Sequence, residues 1–93
     1  MAPKIQVEKK REGEFVVTVS EAGSQSAHRV TLKPDDYQRL TGGKVSPEEL
    51  LRKSFEFLLE REAKESILGQ FDLAVITRYF PEYEREIKKG LGG

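Results

Sequence analysis

Ser46-Pro47-Glu48-Glu49-Leu50-Leu51, running on through Arg52-Lys53-Ser54-Phe55-Glu56-Phe57-Leu58-Leu59 to Arg61-Glu62, combines a complete helix start with an unusually broad apolar face. Ser46 is placed to accept from the first-turn N–H groups, Pro47 stands where its missing N–H costs nothing, and Glu49 completes a capping-box spacing. At 100° per residue, Leu50, Leu51, Ser54, Phe55, Phe57, Leu58 and Leu59 sweep an arc of about 200°, whereas a helix lying on one surface needs only a little over 100°. The helix therefore has to be covered on two sides. A sheet is expected on one side, and C-terminal helices or a second copy of the chain on the other.

Upstream, Ile5 and Val7 alternate with Lys4, Gln6 and Glu8, Arg11-Glu12-Gly13-Glu14 interrupts, and Phe15-Val16-Val17-Thr18-Val19 resumes. That pattern predicts a hairpin. After a break at Glu21 to Ala27, His28-Arg29-Val30-Thr31-Leu32 alternates again as a third strand. Pro34-Asp35-Asp36 opens a short helical turn that Gly42-Gly43 stops. Downstream, Ile67-Leu68-Gly69 anchors a turn, Asp72 has the character of an N-cap, and Leu73, Val75, Ile76, Tyr79 and Phe80 share a helical face. Pro81 disfavours helical geometry at Phe80, so the segment must end or bend there before a last helix carrying Tyr83 and Ile87. The expectation is an α+β fold. A three-stranded antiparallel sheet within residues 4–33 packs against the long helix and two shorter C-terminal helices. Residues 1–93 form a single domain, with helices within 34–89 and a frayed tail over 90–93.

Composition narrows the function classes. The 93 residues carry 16 Lys and Arg against 16 Asp and Glu, so there is no overall pull toward nucleic acid or anionic lipid. Residues 1–45 hold 8 basic and 6 acidic side chains and residues 46–93 hold 8 and 10, an asymmetry too small to name a partner. Cysteine is absent, which excludes disulfides, thiolate metal sites and a cysteine nucleophile. No apolar run approaches the roughly 20 residues of a membrane helix, and the N-terminus lacks a signal-peptide core. A cytoplasmic protein without membrane attachment is expected.

Catalytic patterns are not found. His28 is the single histidine, without companion ligands for a metal, and reads as a polar residue at a strand edge. No serine sits in a Gly-x-Ser-x-Gly turn, the carboxylate pairs fall at helix starts or on polar faces, and Gly42-Gly43-Lys44 lacks the rest of a phosphate loop. The chain is therefore read as a non-enzyme with no catalytic residue, cofactor or metal. Tyrosine combines an apolar body with a polar tip and is enriched at protein interfaces, which makes Tyr79 and Tyr83, either side of the proline bend, the candidate interface residues. The implied partner is another protein or a second copy of the chain.

Two resemblances bear on this. Arg39-Leu40-Thr41-Gly42-Gly43, the Ser46–Glu62 helix and the run from Ser66-Ile67-Leu68-Gly69-Gln70-Phe71-Asp72 to Arg78-Tyr79-Phe80-Pro81-Glu82-Tyr83 resemble a family of short bacterial proteins with no assigned function. Residues 28–62, a strand followed by a short helix, a glycine turn and a capped helix, resemble part of the ribbon-helix-helix DNA-binding fold. That second resemblance implies a dimer laying paired strands in the major groove, with Arg29, Thr31 and Lys33 as DNA contacts opposite Val30 and Leu32. It is the alternative to the protein-interaction reading, because the upstream hairpin offers the strand of Val30 a partner within its own chain.

Overall fold

An inward-facing, mostly apolar residue at every second position through the middle of each segment makes the first three strands. In the computed structural model, which describes residues 3–91, they are β1 (Lys4–Arg11), β2 (Glu14–Glu21) and β3 (Ser24–Thr31), paired antiparallel in sequence order. Ile5, Phe15, Val17, Val19, His28 and Val30 fall on one face and are buried. Lys4, Gln6, Val16, Thr18, Arg29 and Thr31 point to the other face and are exposed or half-buried. The β2–β3 connection is shorter than the sequence break suggested. Glu21 pairs with Ser24, leaving a two-residue turn in which Ala22 (φ 54°) and Gly23 (φ 81°) are both left-handed. Such a turn matches the twist of the strands it joins and strongly prefers Asn-Gly or Gly-Gly, so Ala22 is held in a costly conformation. At the other hairpin, Gly13 (φ 77°) lies against the chain after β3. Its carbonyl accepts from Leu32 N–H at 2.8 Å, and a Cβ there would stand 3.2 Å from the Leu32 carbonyl oxygen.

The predicted three-stranded antiparallel sheet with one long and two shorter helices is corrected by the structure: the sheet has four strands and is mixed, and four α-helices accompany it. β4 (Gln70–Asp72) pairs in parallel with Arg29, Val30 and Thr31. This strand has three residues and one apolar side chain, too short for any periodicity to register, and its pairing depends on a crossover that only the tertiary fold supplies. The helices are α1 (Pro34–Thr41), α2 (Pro47–Leu59), α3 (Val75–Tyr79) and α4 (Tyr83–Gly90), with a short 3-10 turn at Lys64–Ser66. α1 is a full helix with its own buried Leu40, not a passing turn.

α2 begins where its cap predicts. Ser46 Oγ accepts from Glu49 N–H at 3.1 Å, while the Glu49 carboxylate lies toward Arg52. It ends three residues before Glu62, in a tightened turn where the N–H groups of Arg61 and Glu62 both return to the Leu58 carbonyl. Its wide apolar arc is covered twice within one chain. Phe55 meets His28 and Phe71 of the sheet, with ring centroids 5.4 and 6.1 Å away, and Phe57 meets Phe80 and Tyr83 edge-on at 5.8 and 5.3 Å. The buried Ser54 hydroxyl donates to the Leu50 carbonyl at 2.7 Å, so the Tyr83 hydroxyl, 2.6 Å away, is the donor to Ser54. Arg39 of α1 forms an ion pair with Glu84 of α4, closing the helical layer. α4 continues through Gly90, and Leu91 packs against the core; the remainder of the expected frayed tail, residues 92 and 93, lies outside the described residues.

Candidate functional site

The crossover from α2 to β4 builds one wall of an apolar surface cleft. After α2 the chain turns through Lys64–Ser66, buries Ile67 and leaves Leu68 48% exposed. His28 holds this turn in place. Its Nδ1 lies 2.8 Å from the Leu68 carbonyl oxygen, which can only accept, so Nδ1 carries the proton. Its Nε2 lies 2.8 Å from the Ser26 hydroxyl, a second hydrogen bond that fixes the ring. Arg29 N–H donates to the Gly69 carbonyl at 2.8 Å, β4 follows, and Leu73 N–H donates to the Thr31 carbonyl at 2.9 Å. Asp72 then divides its carboxylate between the Thr31 hydroxyl (2.7 Å) and the Ala74 N–H (3.1 Å). Asp72 thus orders the turn into α3 instead of capping a helix directly, since α3 starts at Val75. Pro81 follows the end of α3, with Phe80 outside helical geometry at φ −132° and ψ 88°.

Between the last turn of α2, the Ser66–Leu68 turn and α3 lies an apolar cleft of about 250 Å³. Leu58, Ile67, Phe71 and Ile76 form its buried floor, with Val75 and Phe80 half-buried at its sides. Leu68 and Tyr79 stand at its rim, 48% and 66% exposed, and among the described residues they are the large hydrophobic side chains left in solvent. Glu62 is the charged side chain on the wall. It makes no ion pair among the described residues, whereas neighbouring Lys64 is buried and turned to Glu65 at 2.6 Å, which holds the Glu65 carboxyl below its usual range.

Glu62 also borders a second, larger hollow of about 630 Å³ against the start of β1. Glu21, Glu56 and Glu60 line it with Glu62, and Arg61 is the cation there. The guanidinium of Arg61 lies 3.7 Å from the centre of the Phe57 ring and 3.3 Å from both Glu60 and Glu82, so its charge is already engaged. Glu62 is the residue that lines both the cleft and the hollow.

The structure separates the two tyrosines singled out by sequence. Tyr79 is at the cleft, but Tyr83 is 1% exposed and belongs to the core, where burial holds its phenol well above the ordinary tyrosine range. Their spacing across a proline bend could not distinguish the two, because the bend turns α4 back onto α2. Leu68 was missed as a site residue. Its signal was present in Ile67-Leu68-Gly69, where adjacent apolar residues before a glycine cannot both face inward on a tight turn. His28 was misread as a strand-edge residue although it shares parity with Val30 and Leu32, and it is buried to 2%.

Arg29 and Thr31 share the open face of the sheet and Lys33 follows it, all three exposed. Arg29 lies 3.4 Å from Glu14, Thr31 bonds Asp72, and Lys33 has left the sheet at the start of α1. β3 is internal at Arg29–Thr31, flanked by β2 and β4, so a ribbon paired between two chains has no free edge of β3 to use there. Among the described residues no group of three or more His, Cys, Asp or Glu is placed to hold a metal ion, and no helix is long and apolar enough to cross a membrane. Compared with known proteins, the chain matches no family model, no curated protein and no solved structure.

Proposed function

We propose that the protein is a non-enzymatic interaction module that binds another protein through the cleft between α2, the Ser66–Leu68 turn and α3. One observation carries this reading. The two large hydrophobic side chains exposed among the described residues, Leu68 and Tyr79, stand at the rim of one apolar cleft instead of being scattered. Isolated exposed apolar residues need no explanation, but apolar residues clustered about a concave apolar floor are the usual mark of an interaction site. At about 250 Å³ the cleft is smaller than the ~300–1,000 Å³ of a pocket that encloses a drug-sized molecule, and its size suits one or two side chains of a docking segment. An enzymatic role finds less support. Ser26 and His28 are hydrogen-bonded, but the imidazole is committed to the Leu68 carbonyl and Ser26 lines neither the cleft nor the adjoining hollow.

Affinity capture tests the reading. The immobilised wild-type protein is expected to retain a partner that the double variant Leu68→Ser, Tyr79→Ser loses, with both baits equally folded by circular dichroism. Identical retention by both baits would contradict it.

A further inference from the structure

The charges around the cleft point to a more specific occupant, on the reading that the cleft binds protein. We infer that its partner is a basic amphipathic peptide segment, which seats an aliphatic or aromatic anchor on Leu58, Ile67, Phe71 and Ile76 and sets a flanking Lys or Arg against Glu62. The first part follows from the lining, since an apolar floor selects an apolar side chain. The second follows from charge complementarity. Glu62 is half-buried, lies on the wall shared by the cleft and the acidic hollow, and has no internal counter-ion among the described residues. Beyond it lie Glu21, Glu56 and Glu60.

The nearby cations are held by other carboxylates, which leaves Glu62 and Glu21 without an ion pair among the described residues. Lys64 is buried against Glu65, Arg61 is stacked on Phe57 between Glu60 and Glu82, and Lys53 stands 3.7 Å from Glu56. Arg78 is exposed next to Tyr79 in sequence but does not line the cleft, so Glu62 supplies the charge in its lining. The basic end of the segment belongs at Glu62 and the anchor between Leu68 and Tyr79. An acidic segment would bring like charges together, which costs specificity as well as affinity.

The experiment selects a phage-displayed library of random linear peptides on the intact protein and measures the enriched peptide by fluorescence anisotropy. The expected outcome is a set of peptides that join a Leu, Ile, Met or Phe anchor to Lys or Arg. For these, Leu68→Ser should weaken binding by about tenfold or more, Glu62→Gln by about threefold to tenfold, and added salt should weaken binding further. If the enriched peptides are uncharged or acidic and Glu62→Gln leaves Kd unchanged while Leu68→Ser abolishes binding, the cleft binds protein but the basic-segment inference is overturned. Should no peptide be enriched, or should binding ignore Leu68→Ser, both readings fall. A wild-type dimer that Leu68→Ser dissociates would make a second copy the occupant and equally overturn the inference.

Discussion

The imidazole of His28 on β3 donates from Nδ1 to the carbonyl of Leu68 at 2.8 Å, a bond spanning 40 positions of sequence that ties the middle of the sheet to the rim of the cleft. It joins the fourth strand to the candidate site. The same turn that presents Leu68 to solvent delivers Gly69 and Gln70 to the open edge of β3.

Replacing His28 with Leu keeps an apolar body against Phe55 but leaves the Leu68 carbonyl and the Ser26 hydroxyl without their partner. The expected cost is about 1–3 kcal/mol by urea unfolding. Faster amide exchange at Arg29 and Leu73, whose N–H groups hold the crossover, should accompany it. Unchanged exchange at those two amides would show that the turn is held by β4 alone.

Tyr83 and Ser54 make a testable pair in the core. Tyr83→Ala should cost about 3–5 kcal/mol as a buried aromatic truncation, and Tyr83→Phe only about 1 kcal/mol, because Ser54 still donates to Leu50. The pH dependence follows from burial, which raises the phenol above the ordinary tyrosine value of about 10. The unfolded chain loses this proton first as pH rises, so the contribution is complete below about pH 10 and declines above it. Equilibrium unfolding followed from pH 8 to 11 should fall less steeply for Tyr83→Phe than for the wild type. Parallel slopes would contradict the assignment.

Ala22 sits at φ 54° in the two-residue β2–β3 turn. Ala22→Asn creates the Asn-Gly pair that this turn prefers and should raise stability by about 1 kcal/mol, with no other change in the spectrum of the folded protein. A loss of stability would mean that the turn is not of this type.

Because Phe55 and Phe57 are each covered within the chain, the broad apolar arc of α2 does not need a second copy to bury it. Light scattering should give a monomer mass over a wide range of concentrations. A dimer that survives Leu68→Ser and Tyr79→Ser would place the contact elsewhere, and a dimer that those variants abolish would place it at the cleft.

How much of this was written in the sequence depended on whether a signal was local. The cap at Ser46, the break at Phe80-Pro81 and the alternation through β1 and β2 are each set by neighbouring residues, and each is where the local chemistry placed it. β4 was not legible, since three residues carry no period and their pairing is decided forty positions away. The end of α2 was overrun for a related reason. Glu60, Arg61 and Glu62 are adequate helix formers with no glycine among them, and tertiary packing of Ile67 turns the chain. Of the site, Tyr79 could be named from composition, but Leu68 and Glu62 acquire their roles only when the crossover sets them beside α3.

The most direct test of the cleft as the binding surface is a two-dimensional amide NMR titration of the intact protein with a peptide selected on it. Resonances of Leu58, Ile67, Leu68, Val75 and Tyr79 should shift together along one binding curve, with Glu62 following at the anionic side. Shifts confined to Val16, Thr18, Arg29 and Thr31 on the open face of the sheet, with the cleft unperturbed, would contradict the account.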